Sequence, residues 1–424
     1  ELLELVPTLG RTRGGLLSTE FVGGVRIVEP DKATRWPESL EIPDGTTLAE
    51  LFERYVMKTL REVMEGPDPR SAEWPPAHLE PLDQISFEDF LRKQGASDGV
   101  ISLLRLGLPD LWGDGIASTS ALFILRDMAT GMSPGGAECE AVQHSRHPGI
   151  RVPRGAHGGS AQSTTGMPVF QLQGGNDRIP GAMAKALGSV VQYRTEVRMI
   201  SVQGDSVLIA AQVGAELKEF RADRVVVAVP PPALAGIIFS PGLSEAKKES
   251  IAGLGRTSVV RTYLEFETRF WEAEGLEGLA HTDLPEEPSD GFLPRVWINN
   301  QTIAQETEAG ILETYVVGPL ARKLGSLSPE ERVEFTLTQM EAVFPGAREH
   351  YSGKSRSWVW DEVPGAESGY CYFRPGQLTA FWRELGRAEG PLHFAGDHTS
   401  ALPGWIQGAL ESGERVAREI HGTG

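Results

Sequence analysis

LHFAGDHTSALPGWIQGALESGERVAREI, residues 392–420, is the stretch whose reading decides the fold. It reads as strand, loop and helix. LHFAG is an apolar run that stops at Gly396, and Asp397 follows at the strand's carboxyl end. The helix begins near Trp405 and carries small residues at Gly404, Gly408, Ala409, Ser412 and Gly413. Small residues let a backbone come close to a flat partner or to another element. A helix amino terminus offers unpaired N–H groups and a partial positive charge. An acid at a strand end, followed by a glycine-lined helix start, is therefore a place to hold a polar, electron-rich ring.

The rest of the chain sets bounds on that reading. With 424 residues it can bury large cores, and two or three domains are expected. Its 40% hydrophobic and 23% charged content is that of an ordinary globular protein. The formal net charge of -18 argues against nucleic acid as a partner, because phosphates need a basic surface. It also matches an anionic membrane surface poorly. Cys139 and Cys371 are the only cysteines, too few for a disulfide framework or a zinc site. A reducing, cytoplasmic compartment is the expectation. No apolar run approaches the ~18 residues of a membrane span.

Along the chain, residues 1–45 read as a short helix (ELLELVPTLG) and then a hairpin (LLSTEFVGGVRIVEP) turning at Gly23 and Gly24. Arg26 is taken as a residue of that hairpin. From Thr46 to Met132 the pattern turns helical, with apolar residues three and four apart in TTLAELFERYVMKTLREVME. Ser86 to Asp89 open a helix as a capping box that Gly95 closes, and SALFILRDM makes another. Residues 133–165 read as loop. Their His144, His147 and His157 have no metal-ligand spacing, so no metal is expected. PVFQLQGGNDRIPGAMAKAL is strand, glycine turn and helix, and VVQYRTEVRMISVQGDSVLIAA supplies strands. FRADRVVVAVPPPAL reads as a buried strand ended by Pro230, Pro231 and Pro232. TSVVRTYLEFETRFW and ILETYVVG look like strands of a second sheet, and LSPEERVEFTLTQMEAVFP like an amphipathic helix.

The closing motif, the Gly174–Asp177 turn and the proline-ended strand together resemble the flavin-containing amine oxidases, the family of monoamine, polyamine and L-amino acid oxidases. LDQISFEDFLRKQGASDGVISLLRLGLPDLWGDG is similar to the helical insertion of the bacterial members. The resemblance implies an α/β fold (α+β overall). An FAD-binding, Rossmann-like three-layer domain is interrupted by a mixed-sheet substrate domain and a helical insertion. Residues 1–45 and 236–385 fall to the substrate domain, 46–165 to the insertion and its loop, and 166–235 and 386–424 to the FAD domain. The family's opening GxGxxG, which holds the FAD pyrophosphate, is not found. None of the glycine pairs has its spacing. The expectation is that an amino-terminal segment or a second chain supplies it.

The resemblance also implies roles, residue by residue. Asp397, beside Gly396, is expected to bind the FAD chain, where the family usually has Glu. Gly404, Trp405, Ile406, Gln407, Gly408 and Ala409 form the helix start that meets the flavin pyrimidine edge. A helix amino terminus there favours the negative charge of the reduced ring. Trp405 and Tyr372 are expected as an aromatic pair that channels an amine to the ring, and the backbone of Val197 as an adenine contact. Arg261 occupies the slot of a Lys thought to assist dioxygen chemistry, and it keeps the charge without the compact ammonium. Cys371 lies near the place where some monoamine oxidases attach FAD, but its spacing points to non-covalent FAD. The implied reaction is oxidative deamination of a primary amine or L-amino acid. The alternatives are an FAD dehydrogenase or desaturase that avoids dioxygen, or a non-catalytic subunit that needs a partner chain. A homo-oligomer is expected.

Overall fold

The computed structural model describes residues 5–7, 17–22, 24–28, 35–71, 73–107, 112–130, 170–172, 175–283, 296–300 and 308–422. The expected loop over 133–165, its three histidines and Cys139 lie outside the described residues.

Helix starts follow local chemistry. The Ser86 hydroxyl accepts the Asp89 N–H at 3.0 Å, and the Asp89 carboxylate accepts the Ser86 N–H at 3.4 Å. The helix Phe87–Lys93 thus begins where the capping box puts it. Ser120 caps Ala121–Ala129 through the Phe123 N–H at 3.3 Å. Residues 121 to 128 of that helix are all buried, so it is the central rod of the helical block. Around it Leu60, Val63, Trp74, Phe87, Phe90 and Leu125 form one apolar core. That core continues into Cys371, Tyr372, Phe373, Leu378 and Leu385, so the helical block packs against the segment leading to the chain's closing motif.

The second sheet has seven strands, in the order Tyr351–Val359, Val259–Phe266, Gly310–Val317, Val296–Asn300, Leu276–Thr282, Leu17–Val22, Val25–Val28. Along Val259–Phe266 burial alternates with the strand period. Val260, Thr262, Leu264 and Phe266 are buried on the face that packs under Gly318–Gly325 and Pro329–Val343. Arg261, Tyr263 and Glu265 point to the other face and stay half-exposed. The hairpin at the far edge turns as expected, Val22 pairing with Val25. Arg26 is tied to Glu274 (2.8 Å) and the Val343 carbonyl (3.2 Å), in keeping with a hairpin role.

Two expectations need correction. Leu5–Pro7 is a strand, not a helix, and pairs antiparallel with Phe170–Leu172. Apolar spacing in so short a run does not separate helix from strand, and a distant pairing partner decides. Val225–Val227 is only partly covered, with Val226 45% exposed. Among the described residues its one neighbour is Leu392–Phe394, which runs parallel to it. The four-stranded sheet Glu216–Ala222, Ser206–Val213, Thr195–Gln203, Ile238–Ser240 joins this parallel pair through a common core of Ile200, Val207, Val227, Leu234, Leu243, Leu392 and Phe394.

Candidate active site

The strand Leu392–Phe394 delivers the chain to Gly396, whose N–H donates to the Ser412 hydroxyl at 2.9 Å. A single turn follows over Asp397–Thr399. The Asp397 carboxylate then reaches across the loop and accepts the Gly404 N–H at 2.7 Å. Burial alone would raise the Asp397 pKa. His398, with Nδ1 at 4.0 Å, and the Gly404 N–H outweigh that and hold the carboxyl below the usual range. Ser400 fixes the middle of the loop: its hydroxyl donates to the Asp397 carbonyl (2.8 Å) and accepts the Leu402 N–H (2.9 Å). From the adjoining helix Gln377–Gly386, the Trp382 indole N–H donates to the Ser400 carbonyl at 3.0 Å.

This loop sets the start of the closing helix, Ile406–Gly422. Gly404 sits at φ +83°, a left-handed conformation that favours glycine. It is exposed, as are Ile406, Gln407 and Ala409 in the first turn. Gly408 is different. It is buried, and a Cβ there would stand 2.1 Å from the Leu402 carbonyl oxygen and 2.4 Å from the Ser400 hydroxyl. Its smallness serves the seating of the helix on its own loop rather than any open surface. The Trp405 indole N–H is buried and has no hydrogen-bond acceptor among the described residues.

Tyr372 is the last residue of the strand Tyr370–Tyr372. Its side chain is 1% exposed within the helical core, and its ring lies against Gly113 and Gly255. Two places earlier, the Tyr370 ring is 3.7 Å from the Cβ position of Gly404. A sequence reading that takes either tyrosine as the wall cannot choose between them. The choice follows from packing: the Tyr372 ring is held against Gly113 and Gly255, and the Tyr370 ring lies near Gly404.

Val197 lies on Thr195–Gln203, half-buried against the core shared with the parallel strands. Ile238–Ser240 pairs with this strand only from Met199 onward, so among the described residues no strand lies on the outer backbone edge at Val197. Arg261 is held within its own sheet. Its guanidinium stacks on Tyr315 (4.5 Å to the ring centroid), meets Glu313 at 3.5 Å, and donates to the Tyr263 hydroxyl at 3.5 Å. Glu313 is buried at 1% exposure. Burial opposes the Arg261 charge, but Glu313 and the two tyrosines outweigh it and push the pKa up. Burial, with Glu313, pushes Tyr263 up to about 12. Glu313, missed in the sequence, thus keeps a fixed cation on the half-exposed face of the sheet. Cys371 is buried, and its thiol pKa is pushed up chiefly by burial, then by Asp397. Among the described residues, no cluster of three or more His, Cys, Asp or Glu could hold a metal ion.

The sequence profile of the flavin containing amine oxidoreductases matches residues 42–421. The chain belongs to that family. Among its relatives, YobN of Bacillus subtilis (strain 168) is 32% identical over 259 residues, 59% of this chain and 52% of that protein. The L-amino-acid oxidase of Gloydius halys is 26% identical over 262 residues, 59% of this chain and 49% of its own. The chain therefore spans about half the length of the curated relatives it matches. A solved structure of a putrescine oxidase triple mutant, from a redesign of cofactor binding, superposes with a TM-score of 0.76. It covers 100% of this chain and 83% of its own at 20% identity, a likeness of fold.

Membership in a flavin-containing family makes the loop's geometry a test of fit. A flavin ring needs a surface without side chains, donors for its ring edge and an apolar wall. Gly404 would offer the first, the helix amino terminus at Ile406 the second, and Ile406 and the Tyr370 ring the third. Gly408 lies under the loop rather than on its open face, and Tyr370 is the tyrosine whose ring lies near Gly404.

Proposed function

We propose that the chain forms the larger part of an FAD-dependent amine oxidase acting on an L-amino acid or another primary amine. The observation that carries this reading is the loop over 397–405. Asp397 fixes Gly404, and the loop presents the exposed first turn of the helix Ile406–Gly422. Bound FAD would supply a hydride acceptor for the amine-bearing carbon and an electron donor to dioxygen, the overall reaction being amine, water and dioxygen to a keto acid or aldehyde, ammonia and hydrogen peroxide. The helix start at Ile406 favours negative charge on the ring edge placed against it. Asp397, Gly396 and the open backbone edge at Val197 would hold the polar parts of the cofactor. Trp405 and Tyr370 would wall the approach of the amine. The buried, neutral Cys371 thiol is no nucleophile, in keeping with non-covalent FAD. Arg261 contributes a permanent positive charge to the substrate side.

We place the FAD-binding unit at residues 166–235 and 386–424, with the substrate sheet drawn from 1–45 and 236–385. The FAD unit has two parallel strands, and parallel sheets are ordinarily larger and covered on both faces. We take the bare Val226 and the single pairing of Leu392–Phe394 as the seat of a further parallel strand, carried by polypeptide other than the described residues.

The reading is tested by supplying L-amino acids and alkyl amines to the flavin-loaded protein in air. One hydrogen peroxide per ammonia released is the expected yield. Flavin reduction without peroxide would replace the oxidase by a dehydrogenase, and no reduction by any amine would sink the reading.

A further inference from the structure

Arg126 lies outside the machinery described so far. It sits on Ala121–Ala129 with 0% exposure, and none of its three guanidinium nitrogens has a hydrogen-bond partner among the described residues. Buried charges are ordinarily paired, because an unpaired one is costly to desolvate. This one is enclosed by rings instead. Its carbon Cζ is 4.7 Å from the ring centroid of Trp382, 5.3 Å from that of Trp74, and 5.8 Å from those of Phe123 and Phe373.

The acids that feel its charge are engaged elsewhere. Asp83 accepts from the Ser120 hydroxyl and from the Thr379 N–H and hydroxyl. Asp127 accepts the Trp112 indole N–H, and Glu411 faces Arg70 at 3.7 Å. Those three acids already outnumber the two cations, Arg126 and Arg70, so the neighbourhood does not call for a bound anion. Burial pushes the Arg126 pKa down to about 9, which leaves it charged at neutral pH.

The nearest ring leads to the loop over 397–405. Trp382 stands edge-on to Trp74, with centroids 6.0 Å apart at 83°, and its indole N–H meets the Ser400 carbonyl. Ser400 is the residue whose hydroxyl ties Asp397 to Leu402. We propose that Arg126 is a positioning residue for this loop: its guanidinium against the Trp382 ring sets the angle at which the indole holds Ser400, and so the stance of Gly404 and Trp405. A planar, weakly hydrated guanidinium is suited to stacking on an indole, and the compact lysine ammonium is not. The inference rests on the reading of this loop as the flavin-facing element.

The test uses the full chain and the variants Arg126→Met, Arg126→Lys and Trp382→Phe. Solvent exchange of the Trp382 indole N–H is followed by NMR, with Trp382→Phe assigning the signal, and binding is read with riboflavin. Arg126→Met should speed indole exchange and weaken riboflavin binding, each by about tenfold, the worth of one neutral hydrogen bond. Its unfolding midpoint should hold or rise, because an unpaired buried charge is removed. Trp382→Phe should weaken riboflavin to the same extent, and the double variant no further. Arg126→Lys should restore only part of the loss. Parental exchange and affinity in Arg126→Met, or summed losses in the double variant, would overturn the inference. If Arg126→Met does not fold, parental exchange and affinity in Arg126→Lys overturn it in the same way. If the parent chain binds no riboflavin, the flavin reading has failed, and indole exchange still decides on Arg126.

Discussion

Gly408→Ala should destabilise the protein by about 3 kcal/mol, the upper end of the cost of overpacking a core, and should abolish flavin binding. The sign of this effect is not the ordinary one. Alanine inside a helix is favoured over glycine by about 1 kcal/mol, so on propensity alone the variant would gain stability. At this position the new methyl would meet the backbone oxygen of Leu402 at 2.1 Å and the Ser400 hydroxyl at 2.4 Å. A backbone oxygen within a hydrogen-bonded loop cannot step aside as a long side chain can. The helix must lift off the loop, which takes the Gly404–Trp405 corner with it. Urea unfolding and a riboflavin titration of the same sample measure both consequences. A variant as stable as the parent would mean that the helix is not seated as described.

Asp397→Ala should lower stability and flavin affinity together. The 2.7 Å bond from the Gly404 N–H to a carboxylate is worth about 1.5–3 kcal/mol, or roughly tenfold to a hundredfold in binding if the whole of it goes to presenting Gly404. Asp397→Asn keeps an acceptor and should lose less. The pH dependence follows from the depressed carboxyl pKa. Asp397 contributes its stability fully above the unfolded carboxyl value of about 3.9, and the contribution is lost as pH falls through the lower folded value. In Asp397→Ala that acid-side loss should shrink, as measured by unfolding midpoints between neutral and acidic pH. An unchanged acid limb would place the depressed pKa elsewhere.

The larger elements were legible because each carries a local signature. Ser86 with Asp89 announces a helix, and the alternation in Val259–Phe266 announces a strand with one covered face. The closing motif was legible as well, since the end of an apolar strand, an acid and a glycine-lined helix start follow one another within a few residues. What was not legible depended on distant partners. Leu5–Pro7 is a strand because Phe170–Leu172 lies beside it. Tyr370 rather than Tyr372 lies near Gly404, because the Tyr372 ring is packed against Gly113 and Gly255, residues remote in sequence. Gly408 and Gly404 look alike in sequence, yet one carries a helix against its loop and the other lies open. Glu313 gives no local hint that it stands across the sheet from Arg261. Arg126 reads as an ordinary helical arginine until the four rings around it are seen together.

The central claim is that residues 397–409 form the face that holds the flavin ring. It is tested most directly by titrating the full chain into riboflavin and into FAD while following the visible absorption bands. Riboflavin carries the ring without the pyrophosphate, so it reports on this face alone. The account predicts a saturable shift of the flavin bands with both ligands, absent in Gly408→Ala and weakened in Asp397→Ala. Bands that stay unchanged at every protein concentration, or that shift equally with Gly408→Ala, would contradict it.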